Sequence, residues 1–137
     1  MFESKTTRNT ELMRDYRRTV KEILASGQEL CRERAIRKML AESRPDYHVT
    51  YTWAVRMMRE MIANGKPCPA KGLRRKMWEE FRQHVEEYMQ KGAKLADAVM
   101  ATMLNKRASG YFITYKQASK IIYHETEKNR HRCPHRA

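Results

Sequence analysis

The chain has 137 residues, with 29 Lys and Arg against 16 Asp and Glu, a formal charge of +13 and a pI of about 10.0. That length holds one domain or two very small ones and leaves no room for a large catalytic cavity between separate domains, while an excess of positive charge persists most easily when a polyanion neutralises it. The opening residues 1–10 lack an apolar leader core, no stretch approaches the roughly 18 uninterrupted apolar residues of a membrane span, and three cysteines do not make a secreted disulfide framework, so a soluble cytoplasmic protein with no membrane partner is expected.

Leu12, Tyr16, Val20 and Ile23/Leu24 fall at helical spacing and predict a first helix, which Gly27 ends in the manner of a C-terminal cap. A second helix over about 29–42 follows, with Cys31, Ala35, Ile36, Met39 and Leu40 on one stripe. A loop containing Pro45 then leads into Asp46-Tyr47-His48-Val49-Thr50-Tyr51-Thr52-Trp53-Ala54. Thr50 is placed to cap a third helix from Tyr51 to about Ala63, which would bury Tyr51, Ala54, Met57/Met58 and Met61. The connector 64–72 contains Asn-Gly and two prolines and cannot be helical throughout.

Beyond the connector the pattern returns. Met77, Phe81, Val85 and Tyr88/Met89 echo the first stripe, and Gly92 matches Gly27. Leu95, Val99, Met100, Met103 and Leu104 echo the second over about 93–106, ahead of a loop containing Gly110. The phrase itself reappears as Gly110-Tyr111-Phe112-Ile113-Thr114-Tyr115-Lys116-Gln117-Ala118, with Tyr47/Tyr111, Thr50/Thr114, Tyr51/Tyr115 and Ala54/Ala118 identical in register. A last helix from Tyr115 to about Lys128 would bury Tyr115, Ala118 and Ile121/Ile122. These matches predict an all-α fold built by internal duplication of two three-helix units packed together. The units span 8–63 and 73–127, separated by the basic Pro/Gly connector 64–72 and followed by a disordered basic tail over 128–137. One alternative competes: the alternation of Tyr47, Val49 and Tyr51, and of Tyr111, Ile113 and Tyr115, is also that of short β-strands at 47–51 and 111–115.

Three helices, the last opening at Thr-Tyr-x-x-Ala, resemble the trihelical units of the helix-turn-helix class, including homeodomain-like and Myb-like tandem repeats. The phrase is also similar to one that recurs in small basic bacterial proteins of unknown function. The trihelical resemblance implies that the third helix of each unit enters the major groove. Its face opposite the core would show Thr52, Trp53, Arg56 and Arg59 in one copy and Lys116, Gln117, Lys120 and Tyr123 in the other. Arg bonds guanine bidentately, Gln bonds adenine, and Lys takes guanine or phosphate. Trp53 either packs between the repeats or stacks on a base or partner. Phosphate contacts would come from Lys71, Arg74, Arg75 and Lys76 in and after the connector, and from Lys128, Arg130 and Arg132 in the tail.

The sequence therefore points to a nucleic-acid-binding protein, DNA before RNA, associated with the nucleoid in that case, with neither cofactor nor catalysis. The alternative is a helical adaptor for an acidic protein, anchored by Trp53 or Tyr123. His131, Cys133 and His135 are metal-ligand types, but their one-residue spacing is not that of zinc modules, and arginines intervene. Glu79-Glu80 and Glu86-Glu87 are expected to form helix-surface pairs with neighbouring basic residues, because no nucleophile, base and orienting group occur at an interpretable spacing.

Overall fold

The computed structural model describes residues 4–132, and every element among them is helical. Helix α1 spans Ser4–Ala25, α2 Arg32–Glu42 and α3 Tyr51–Met58, which runs on into a π turn at Arg59–Ala63. Helices α4 (Gly72–Gln90), α5 (Leu95–Asn105) and α6 (Tyr115–Arg132) complete the chain. Helix α6 therefore continues through residues 128–132, which the sequence assigned to a disordered tail; residues 133–137 lie outside the described residues.

The α4 terminus shows how the glycine punctuation works. At φ +105°, Gly92 takes the left-handed conformation that other residues resist, and the turn lets Gly92 N–H reach the Met89 carbonyl and Ala93 N–H reach that of Tyr88, at 3.0 and 3.1 Å. No strand forms at 47–51 or 111–115. Tyr47 and Val49 are buried while His48 and Thr50 are half-buried, so the alternation is present, but without a ladder, and the Val49 N–H turns back to the Tyr47 carbonyl at 3.0 Å.

Two compact units emerge, and neither is a sequential half of the chain. One contains residues 44–112, hence α3, its π turn, α4 and α5; the other contains, among the described residues, 6–43 and 113–132, hence nearly all of α1, with α2 and α6. The expected three-helix units 8–63 and 73–127 thus exchange their third helices. The reason is visible in the first unit, where α3 and α4 both pack against α5. Ala54, Met57, Met58 and Met61 share one core with Met77, Trp78, Phe81 and Val85 of α4 and with Ala98 and Val99 of α5. The loop before α3 joins this core through Tyr47, whose ring meets Phe81 edge-on at 5.0 Å between centroids. In the second unit α2 packs against α6, with Ala35, Ile36, Met39, Ala118 and Ile122 buried, and the Arg37 guanidinium lies 4.4 Å over the Tyr115 ring.

Several stripe positions depart from expectation. Tyr51 is exposed because it opens α3, ahead of the turn that carries Ala54 into the core. Leu24, Met100 and Leu104 are exposed as well, Leu104 by 74%. On α1 the buried line includes Glu11, Asp15 and Thr19 beside Leu12 and Met13, because Arg14 and Arg18 reach back to the two carboxylates at 3.2 and 3.1 Å and the Thr19 hydroxyl donates to the Asp15 carbonyl at 3.0 Å. Six of the methionines (Met13, Met39, Met57, Met58, Met61 and Met77) are buried.

Candidate nucleic-acid interface

Helix α3 starts where the sequence placed it, with Thr50 Oγ1 accepting from the Trp53 N–H at 3.3 Å. Its core side is fixed by Ala54, Met57 and Met58, which leaves Thr52, Trp53, Arg56 and Arg59 exposed. Trp53 keeps 38% of its surface exposed, and the Arg56 guanidinium lies 5.7 Å from its ring centroid. Arg59 begins the π turn, which closes with the Asn64 N–H on the Arg59 carbonyl at 3.0 Å.

The same compact unit holds the basic cluster that follows the connector. Lys71 occupies the N-cap position of α4 and makes no side-chain cap, and the first turn of that helix holds no acid. Lys71, Arg74, Arg75 and Lys76 are all exposed. Arg75 meets Glu79 at 3.6 Å, whereas Lys71, Arg74 and Lys76 have no carboxylate within ion-pair distance among the described residues. Four cations thus crowd the end of a helix whose free N–H groups already carry partial positive charge, an arrangement that favours an anion. Lys66 is held differently: it bonds Glu60 at 2.9 Å and keeps that carboxyl below its usual value.

On α6, Lys116 and Lys120 are exposed and have no acidic partner among the described residues. Gln117 behaves otherwise. Its Oε1 accepts from the Thr114 N–H at 2.9 Å while Thr114 Oγ1 accepts from the Gln117 N–H at 3.1 Å, a reciprocal capping box, so the side chain assigned to base reading is turned back onto its own helix. Lys128 and Arg130 pair with Glu125 and Glu127 at 3.5 and 3.3 Å. The Arg132 backbone lies in α6, but its side chain and that of His131 fall outside the described positions, as do Cys133 and His135 entirely. Among the described residues no group of three His, Cys, Asp or Glu could hold a metal, and no helix is long and apolar enough to cross a membrane.

The structure therefore brings the α3 residues and the connector cluster into one compact unit, and places Lys116, Gln117, Lys120, Lys128 and Arg130 in the other. Sequence reasoning missed two features of the first unit. Glu80, expected in a helix-surface pair, instead accepts hydrogen bonds from the Tyr47 hydroxyl and the Ser109 N–H. Beside it, Arg44 Nη1 donates to the Ser109 carbonyl at 3.0 Å, Arg107 Nη1 to the Arg44 carbonyl at 3.2 Å, and the Ala108 N–H to the Pro45 carbonyl at 2.8 Å. The other feature is a pair of lysines, Lys91 and Lys106, directed at the ring of Tyr88. Its signal in the sequence was the Lys106-Arg107 dipeptide directly after the last helical positions of α5. In comparisons with known proteins, no family model, curated protein or solved structure matches the chain.

Proposed function

We propose that this chain is a non-catalytic nucleic-acid-binding protein, acting on DNA before RNA, with the exposed face of α3 as the reading element and the start of α4 as a phosphate clamp. One observation carries the reading: Lys71, Arg74 and Lys76 stand without carboxylate partners at an uncapped helix start, in the same compact unit as Trp53, Arg56 and Arg59. Phosphate oxygens would satisfy both the helix N–H groups and the cations, and would set the register in which α3 meets base edges. Lys116 and Lys120 supply an analogous, smaller set on α6.

The test is a charge-neutralising variant, Lys71→Gln/Arg74→Gln/Lys76→Gln, titrated into duplex DNA at several salt concentrations. Loss of phosphate contacts weakens all sequences alike and lowers the log-log salt slope by roughly three. An unchanged slope removes the clamp from the account. Recovery of an acidic protein that stays bound after nuclease treatment, with no DNA binding, would replace the reading with that of an adaptor.

A further inference from the structure

Tyr88 stands in the last turn of α4, and ammonium groups from two helix ends converge on its ring. Lys91 Nζ lies 6.0 Å from the ring centroid and Lys106 Nζ 5.8 Å, while Asn105 Nδ2 donates to the Tyr88 hydroxyl at 3.4 Å. Lys91 is the C-cap of α4 and Lys106 the C-cap of α5. The partial negative charge at a helix C-terminus accounts for a lysine at either place, but not for both reaching one ring. Neither has a carboxylate within ion-pair distance among the described residues. Arg107, next in sequence, is committed elsewhere: it meets Asp46 at 3.6 Å and donates to the Arg44 carbonyl at 3.2 Å, so the two lysines alone form the cationic part of the site.

With no acid beside either lysine, the positive charge around this ring is uncompensated, and a phosphate would neutralise it. The ring they approach remains half-exposed, and at about 6 Å each ammonium sits at the outer edge of cation–π contact, on a flexible stem that can move from ring to phosphate. Cations beside an aromatic ring are the pairing that holds unpaired nucleotides, with the base on the ring and the backbone on the cations.

We propose that Tyr88, Lys91 and Lys106 form a site for an unpaired nucleotide of single-stranded nucleic acid, the base stacked on Tyr88 and the phosphates held by the two lysines. This rests on the nucleic-acid reading above and narrows it, because a base inside a duplex already has its faces covered by neighbours. The site shares no residue with the α3 face or the α4 clamp.

The experiment measures anisotropy of a fluorescein-labelled oligothymidylate, and of a duplex of equal length, at low salt. The proteins are wild type, Tyr88→Phe, Tyr88→Leu and Lys91→Gln/Lys106→Gln. Tyr88→Phe keeps single-strand affinity, while Tyr88→Leu and the double lysine variant each lose about tenfold on oligothymidylate and less than threefold on duplex. The lysine variant alters no buried side chain, so it carries the test if Tyr88→Leu does not fold. Equal losses on both ligands, or none on oligothymidylate, overturn this site while leaving the α4 clamp standing. Failure of the wild type to bind either ligand overturns both.

Discussion

The Tyr47 hydroxyl donates to the Glu80 carboxylate, and the same carboxylate oxygen takes the Ser109 N–H at 3.1 Å. One side chain of α4 thereby fastens both the loop that enters α3 and the one that leaves α5. Burial works against the Glu80 charge, but the hydrogen bonds from Ser109 and Tyr47 outweigh it and hold the carboxyl below its usual value; burial, followed by Glu80 itself, pushes the Tyr47 phenol well up.

Removing either partner should loosen the position of α3. Tyr47→Phe deletes one charge-assisted bond and leaves Ser109 in place, for a loss of about 1–2 kcal/mol. Glu80→Ala strands a buried phenol and a backbone N–H together and should cost about 2–3 kcal/mol. Urea midpoints with an unchanged slope check both. Glu79→Ala serves as the control, since among the described residues Glu79 pairs with the exposed Arg75 alone; a Glu80→Ala shift no larger than its own contradicts the role given to Glu80.

The same pair sets the pH dependence of stability. Glu80 titrates lower in the fold than its ordinary 4.5, so its contribution is complete above that value and is lost as pH falls through the folded value. Tyr47 titrates above its ordinary 10.0, so its contribution is complete below that value and declines as pH rises beyond it, where the unfolded chain ionises first. Glu80→Gln should therefore flatten the acid limb of the stability profile, and Tyr47→Phe the alkaline limb. Limbs identical to those of the wild type would show that this contact is not what titrates.

The two helix caps should not be equivalent. Thr50 gives α3 one bond at 3.3 Å, whereas Thr114 and Gln117 exchange two. Thr50→Ala should cost about 0.5–1 kcal/mol and Thr114→Ala about 1–2 kcal/mol. Gln117→Ala should likewise lower thermal stability rather than change sequence preference, which a selection from randomised DNA would reveal.

Within the α3 reading, Arg56→Ala should relax preference at one or two positions and cost about 1–3 kcal/mol on the preferred sequence. Neutralising Arg74 and Arg75 should weaken every sequence alike. Competition binding with matched and scrambled duplexes separates the two, and uniform weakening by Arg56→Ala would remove α3 as the reading element.

Helical periodicity carried most of the fold. Leu12, Ala35, Ile36, Ala54, Phe81, Val85, Val99, Ala118 and Ile122 all fall on the stripes that spacing predicts, and both threonine caps stand at the phrase that announced them. What spacing does not encode is which helices share a core. An apolar stripe specifies that a face is buried, not against what, so spacing groups α3 with its sequential neighbours although its core partners are Trp78, Phe81 and Val99. The exposed cations of the candidate interface were legible as charge runs. Glu80 was not, because a carboxylate bonded across 33 positions in sequence looks the same in the chain as one paired four residues away. The Lys106-Arg107 dipeptide marks a cation after α5, but that Lys106 and Lys91 approach one ring follows only from the packing of α4 on α5.

If the cations of α4 and α6 neutralise nucleic-acid phosphates, binding of the wild-type protein must depend steeply on salt. Anisotropy of a labelled duplex should show association at about 50 mM salt, with log affinity falling steeply and linearly against log salt concentration at a slope of about −3 or steeper. A slope near zero, or no association at about 50 mM salt, contradicts the account.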